Sequence, residues 1–227
     1  LNKKKIKNII KSIDEIIKFK DPLGKILSSW KRPSGINIKK ISVPIGVIGV
    51  IYESRPNVTS DVAALCFKTG NVVILRGGSE AFYSNKILYS LFKKALKKQK
   101  CNINCVQFIS KKNRKNVDYL LSNMEKYIDI IIPRGGKSLI KKVKAKSKVP
   151  TIGHLEGICH VYVDKEADIK MAIKIINNSK MRNFNICGAA ETLLLDRMCL
   201  KTHCKPILKE LSKLGCKIIG EEELKKF

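Results

Sequence analysis

Two short turns in this chain carry the residue types that hold phosphate. RGGSEA (76–81) and PRGG (133–136) each follow an apolar run and open a helical pattern. In each a guanidinium, Arg76 or Arg134, stands beside two glycines: Gly77 and Gly78, followed by Ser79, in the first, and Gly135 and Gly136 in the second. A basic residue with bare backbone N–H groups at a helix start, just past a strand end, makes an anion site. ESRPN (53–57) is a third turn and carries a fixed charge at Arg55. Such turns in succession point to a phosphate-bearing ligand lying across the strand ends. No GKS or GKT follows either glycine pair, so neither is a Walker loop, and neither reads GxGxxG.

A different chemistry is available in MRNFNICGAAETLLL (181–195). Cys187 follows a loop of Asn183, Phe184 and Asn185 and precedes Gly-Ala-Ala. A thiol at the start of a helical turn has its thiolate favoured by the dipole and can act as a nucleophile. Local sequence alone leans toward a buried structural cysteine instead. Cys159, in GICHVYVD, reads as a cysteine buried by strand alternation. No CxxC pair occurs, and His154, His160 and His203 give no zinc spacing, so no metal is expected. Cys199 and Cys204 with His203 are the alternative, a metal clip. The eight cysteines otherwise read as free thiols of a reducing cytoplasm.

The elements that must position these residues alternate along the chain. Residues 1–20 read as an amphipathic helix, 21–24 as a turn, 30–37 as a loop and 38–43 as a strand. ISVPIGVIGVIY (41–52) is a β-branched apolar strand, and Val58 to Phe67 has helical spacing closed by Thr-Gly-Asn. NVVIL is a short buried strand. The next helix spans Ser79 to Lys100, with Ser79 as its N-cap and Ile87, Leu88, Leu91, Phe92 and Leu96 on one face. CVQFI is a strand, Arg114 to Met124 a helix, and IDIII a strand leading into PRGG and a basic helix. Val149 to Ile152 and His160 to Val163 read as strands around GHLEG. Ala167 to Asn178 is a helix, Glu191 to Leu195 a strand, Leu200 to Leu214 a helix and CKIIG a strand. This alternation predicts a mostly parallel sheet with helices on both faces. The last helix simply stops, and no cap or turn precedes Leu1, so the chain reads as the middle of a longer protein.

Composition bounds the partners. At 227 residues and 44% hydrophobic, the chain can bury one large core or two small ones. No apolar run reaches the roughly 18–20 residues of a membrane helix, and nothing reads as a signal or transit peptide. The net charge of +27 invites a polyanion-binding face. Against it, only seven of the 46 basic residues are arginine, and the lysines spread over every predicted helix. Lysine, isoleucine and asparagine are abundant together, as an AT-rich coding sequence would give. No nucleic-acid or membrane partner is therefore expected.

Ile45 to Ser79, YIDIIIPRGG, LEGICHVYVD and CGAAETLLL, in this order, resemble the gamma-glutamyl phosphate reductases, also called glutamate-5-semialdehyde dehydrogenases, of the aldehyde dehydrogenase superfamily. The likeness runs along essentially the whole chain, most clearly from residue 21 onward. It implies an α/β fold: a Rossmann-type parallel-sheet cofactor domain over residues 1–153, then the start of an α/β catalytic domain over 154–227. It also implies a reaction of proline biosynthesis. NADPH reduces L-glutamyl 5-phosphate to L-glutamate 5-semialdehyde and phosphate, through a thioester on a cysteine. Cys187 matches the nucleophile, which reverses the local reading.

The resemblance assigns cofactor contacts as well. Ile51 to Arg55 match the turn beneath the nicotinamide ribose and pyrophosphate, and Ser54 falls where hydrolytic relatives hold the oxyanion with asparagine. Arg76 stands at a ribose-binding lysine. Ser79, after Gly77 and Gly78, replaces the glutamate that NAD-preferring relatives place on the ribose hydroxyls, which implies room for a 2′-phosphate. Pro133 to Gly136, with Arg134 and Gly135, match the turn near the pyrophosphate. His154 takes the place of the general-base glutamate, with Glu156 two residues away, which fits reduction over hydrolysis. A homo-oligomer at full length, contact with glutamate 5-kinase and a cytoplasmic location are implied too. The same domain also forms part of a bifunctional pyrroline-carboxylate synthase. Residues 181–189 depart from the usual TQRPGVCNA: the arginine is displaced by one, and the proline, the glycine and the asparagine after cysteine are lost. That departure keeps an alternative open, a truncated or degenerate homologue that binds nucleotide or a partner without catalysis.

Overall fold

Four short β-branched runs pair in parallel to form the frame of residues 1–155. The computed structural model describes residues 2–113, 115–153 and 157–222. The strands are β1 (Ile26–Lys31), β2 (Asn37–Ile41), β3 (Val47–Tyr52), β4 (Val72–Gly77), β5 (Val106–Phe108) and β6 (Ile130–Arg134), of which the last four make a sheet of order β5-β4-β3-β6. The helices are α1 (Lys3–Lys18), α2 (Pro56–Lys68), α3 (Phe82–Lys98), α4 (Lys115–Ser122) and α5 (Lys137–Lys146). Ile48, Val50 and Tyr52 of β3 pack with Ala63 and Cys66 of α2 and Leu96 of α3 on one face. Ile51 and Ile131 pack with Val117, Leu120 and Leu121 of α4 and Val143 of α5 on the other. Val73, Leu75 and Ile131 are fully buried, each contributing about 1.5–3 kcal/mol. The chain steps from β3 outward to β4 and β5, then returns to the other side of β3 for β6. That reversal makes the carboxyl ends of β3 and β6 a topological switch point, where open α/β sheets bind ligands.

The loop expected at 30–37 is half of a hairpin. β1 pairs antiparallel with β2, and the connection is closed by Arg32 N–H to Ile36 O (2.9 Å) and Gly35 N–H to Arg32 O (2.9 Å). Every β1 residue is exposed, so the strand carries no burial alternation for the sequence to reveal. Val149 to Ile152 is not a strand but a single bridge, Thr151 opposite Ile131. Pro150 lacks the N–H a ladder needs and only accepts, from Ile131 N–H at 2.8 Å. Ser79 does not cap a helix: it opens a 3-10 turn (Ser79–Ala81), and α3 begins at Phe82 with no side-chain cap. The inward face of α3 is Asn85, Leu88, Tyr89, Phe92 and Leu96, while Ile87 and Leu91 are exposed.

Residues 156–227 form a second unit. β7 (Cys159–Val163) and β8 (Ala190–Leu195) pair in parallel, joined by α6 (Ile169–Met181), and α7 (Lys205–Lys213) packs against α6. Val163, Ala172, Ile176, Cys199, Ile207 and Leu211 make the core. Asp168 caps α6, its Oδ1 accepting Met171 N–H at 2.8 Å. The helix expected over Leu200–Leu214 starts as a wide π turn (Leu200–Cys204) and becomes α-helical at Lys205. Pro206 sits in the first turn of α7, where its missing N–H costs least. CKIIG (216–220) is not a strand, since no neighbouring edge among the described residues pairs with it, and Ile219 is 88% exposed.

Candidate functional site

Register alone brings the three sequence-predicted turns of the first unit to one end of the sheet. Tyr52 lies opposite Gly77 on one side and Arg134 on the other, and Ile51 lies opposite Arg76. The chain leaves β3 at Glu53, Ser54 and Arg55, leaves β4 at Gly78 and leaves β6 at Gly135. A Cβ on Gly78 would stand 3.3 Å from Ser54 N and 3.5 Å from Glu53 Cα, so the β3 and β4 turns touch. A Cβ on Gly135 would stand 2.6 Å from the Glu53 carboxylate. The glycines thus allow three backbones to converge.

Ser54 has φ of +23°, one of two non-glycine residues among those described with positive φ. Such backbone is held by its surroundings at a cost of roughly 1–3 kcal/mol and gathers at ligand sites. Arg55 is exposed and forms the N-cap position of α2, with Pro56 at the first helical position.

Glu53 is the residue the sequence reading passed over. Its Oε2 accepts Gly136 N–H at 2.8 Å, at the N-terminus of α5, and its backbone N–H donates to Arg134 O at 3.1 Å. The anion site foreseen in PRGG is therefore served by a carboxylate of the protein. The contact spans 83 residues, so no local pattern could have shown it. Glu53 is exposed.

The β4 turn differs from expectation in two respects. Arg76 is 8% exposed, and its guanidinium donates to Gly77 O (2.6 Å) and Lys112 O (3.2 Å). Lys112 in turn places its Nζ 4.5–4.8 Å from the ring centres of Tyr83 and Phe82. A carboxylate is also present after all: Glu80 accepts from Ser54 Oγ and Ser79 Oγ, both at 3.4 Å. Gly77 is required by packing, since a Cβ there would lie 2.2 Å from Asn85 Nδ2 and 3.0 Å from the Tyr52 ring. Tyr52 Oη, Thr59 Oγ1 and Asn85 Oδ1 form a buried chain of hydrogen bonds (2.7 and 3.2 Å). Burial pushes the Tyr52 hydroxyl up to about 12, outweighing the opposing pull of Thr59 and Arg76.

In the second unit Cys187 is exposed, as are residues 182–188 around it. The local reading of a buried structural cysteine is therefore wrong, and so is the expected helix dipole. Cys187 sits in a turn closed by Ala189 N–H to Ile186 O (3.0 Å), and β8 follows it directly. Cys159 is half-buried, not sealed in the core, and its thiol donates to Cys187 O at 3.3 Å. His203 has both ring nitrogens engaged, on Ala167 O (2.8 Å) and Thr202 Oγ1 (2.7 Å), so the clip with Cys199 and Cys204 does not form. Among the described residues no group of three His, Cys, Asp or Glu could hold a metal ion, and no helix is long and apolar enough to cross a membrane. A hollow of about 600 Å³ runs along β8 toward Ile218 and holds none of the candidate residues. Arg114, His154 and Glu156 lie outside the described residues.

The model of the aldehyde dehydrogenase family matches residues 2–222. Gamma-glutamyl phosphate reductase of Paramagnetospirillum magneticum is 47% identical over 221 residues, 97% of this chain and 52% of that protein. The enzyme of the same name from Brucella suis is 46% identical over 224 residues, 99% of this chain and 53% of that protein. The crystal structure of gamma-glutamyl phosphate reductase from Thermotoga maritima superposes with a TM-score of 0.91 at 40% identity, covering 100% of this chain and 54% of that one. The chain spans about half the length of the curated relatives it matches.

Proposed function

The chain belongs to the aldehyde dehydrogenase family, and from that premise we propose that it is the cofactor-binding and nucleophile-bearing part of an NADPH-dependent glutamate-5-semialdehyde dehydrogenase. The reaction is reduction of L-glutamyl 5-phosphate to L-glutamate 5-semialdehyde and phosphate, in proline biosynthesis. The observation that carries this reading is the 46–47% identity to gamma-glutamyl phosphate reductases along nearly the whole chain. On this reading residues 1–153 bind the cofactor and 154–227 begin the catalytic domain.

Enzymes of this family use NAD(P), and the residues present fit a dinucleotide. Glycine backbones converge at the switch point, Gly136 offers an N–H at a helix start, and the Arg134 and Arg55 side chains are exposed there. Ser54, Arg55, Arg76, Gly77, Gly78, Ser79, Arg134, Gly135 and Gly136 would hold the cofactor, with Arg76 on the Gly77 and Lys112 carbonyls and Lys112 over Phe82 and Tyr83 as the cations of the β4 side. That pair of cations supports the preference for a 2′-phosphate. When bound, NADPH supplies the hydride that takes the acyl carbon to the aldehyde level. Cys187 attacks the acyl phosphate carbon, phosphate leaves, and a thioester forms; release of the aldehyde returns the thiolate. Backbone N–H groups of Cys187 and Gly188, in the exposed part of this turn, can face the developing oxyanion.

At full length we place the enzyme in the cytoplasm, in keeping with eight free cysteines. The β1–β2 hairpin, which exposes Leu27, Trp30 and Ile41, supports a homo-oligomer. A labile acyl phosphate favours direct transfer from glutamate 5-kinase. The test is the reverse reaction of the full-length protein, oxidation of glutamate semialdehyde with NADP⁺, followed by nicotinamide absorbance. Turnover must require inorganic phosphate; phosphate-independent oxidation overturns the assignment. A second reading, binding of nucleotide or a partner without turnover, draws on residues 181–189, whose departure from the usual segment touches the nucleophile and leaves the cofactor crevice unaltered. Stoichiometric NADPH binding with no turnover would select it.

A further inference from the structure

Cys159 opens β7 and pairs with Ala190, three residues beyond Cys187, in the β7–β8 ladder. Its thiol reaches the carbonyl oxygen of Cys187 at 3.3 Å. Gly157 backs onto the same residue: a Cβ there would lie 3.6 Å from Cys187 Cβ and 2.8 Å from its carbonyl oxygen. Cys187 is exposed and Cys159 half-buried, so oxidants reach the first and the second sits behind it. The Cys159 sulfur therefore lies against the backbone of the residue that carries the second sulfur, and a disulfide spans about 4.4–6.8 Å between Cα atoms.

We propose that Cys159 is a resolving cysteine for Cys187, so that peroxide oxidation of Cys187 ends in a Cys159–Cys187 disulfide. In the first step the Cys187 thiolate attacks hydrogen peroxide. An S–O bond forms, the O–O bond breaks, and the leaving hydroxide takes a proton to become water. In the second step the Cys159 sulfur attacks the Cys187 sulfenic acid. The S–S bond forms, the S–O bond breaks, and hydroxide departs as water with the Cys159 proton. Two thiols together lose two electrons, and one peroxide becomes two waters. An external dithiol reverses the bond, whereas an unresolved sulfenic acid goes on to irreversible sulfinic acid. Three of the other sulfurs compete poorly. Cys66 is buried and its thiol pushed up to about 11, and burial also raises Cys105 and Cys204. Only the consequence for turnover rests on the reading of Cys187 as nucleophile; the bond does not.

The test treats the full-length chain with hydrogen peroxide, blocks free thiols and digests with trypsin. Residues 149–165 and 183–197 each carry one cysteine. The expected product is these two peptides linked, lighter than their sum by two hydrogens and separated by dithiothreitol. In Cys159→Ser, and in Cys159→Ala as a second variant, the linked species should vanish and Cys187 should accumulate as sulfinic acid several-fold faster. If Cys187 in the unaltered chain reaches sulfinic acid as fast as in the variants, or links to another cysteine, the proposal fails. A linked pair in a protein without reductase turnover would uphold the bond while removing the catalytic reading.

Discussion

Glu53 Oε2 accepts the N–H of Gly136 at 2.8 Å, which puts a carboxylate of β3's exit turn on the N-terminus of α5. The bond satisfies one of the orphan N–H groups of that helix and complements its dipole, a contribution of about 0.3–1 kcal/mol. It also puts a negative charge where the pyrophosphate of a dinucleotide is proposed to lie. Removing that charge should therefore separate stability from affinity. Glu53→Gln in the full-length protein is expected to lower the unfolding free energy slightly and to tighten NADPH several-fold. Unfolding in urea and fluorescence titration with NADPH measure the two effects. Weaker cofactor binding would mean that Glu53 assists the ligand.

Gly77→Ala tests the floor of the crevice. The added methyl would stand 2.2 Å from the buried Asn85 amide nitrogen and 3.0 Å from the Tyr52 ring. Neither can move freely, because Asn85, Thr59 and Tyr52 share hydrogen bonds. A loss of about 1–3 kcal/mol is expected, read from the urea midpoint. An unchanged midpoint would show that the network yields.

The frame of the site was legible because β-branched runs with glycine exits, such as Val47–Tyr52 and Val72–Gly77, set strands, register and crevice together. Arg55, Gly77, Gly78, Arg134, Gly135 and Gly136 fell at the same end of the sheet by that logic alone. What escaped were contacts made by folding over long separations. Glu53 meets Gly136 from 83 residues away, Thr59 of α2 meets Asn85 of α3, and Cys159 meets Cys187 across two strands. Exposed β1 escaped for another reason: with no buried face, its pattern carries no period.

The acid limb of stability should trace to Asp118. Hydrogen bonds from Lys142 and then Lys146 hold its carboxyl below the ordinary 3.8, and they tie α4 to α5. A lowered folded pKa contributes stability above 3.8, and this is lost as pH falls through the folded value. Asp118→Asn should be less stable than wild type near neutrality, with the gap closing below about 3.8. Cys66 acts at the other end. Burial raises its thiol from 9.0 to about 11, so its contribution is whole below 9.0 and fades as pH rises through about 11. Urea unfolding across pH checks both signs, and a gap at Asp118 that does not depend on pH would refute the first.

Cofactor preference should depend on Lys112 more cleanly than on Arg76. Arg76 is buried on the carbonyls of Gly77 and Lys112, so Arg76→Ala is expected to cost stability along with NADPH affinity. Lys112 is held over Phe82 and Tyr83, and Lys112→Gln should weaken NADPH several-fold while leaving NADH nearly unchanged. Titration of the full-length variants with each nucleotide measures this. Equal losses for both would remove the 2′-phosphate from this corner.

Cys187 is the nucleophile in the proposed reaction, and its exposure makes that testable in two ways. In the full-length protein Cys187→Ser should abolish reductase turnover and leave NADPH binding nearly unchanged, because a serine hydroxyl at its ordinary pKa is a far poorer nucleophile than a thiol at neutral pH. Iodoacetamide, followed by mass spectrometry, should label Cys187 ahead of the buried Cys66, Cys199 and Cys204. Serine or alanine at those three sites should instead cost about 1–3 kcal/mol of packing with the catalytic cycle intact. Wild-type turnover in the serine variant would move the chemistry to another group and leave Cys187 as a surface thiol.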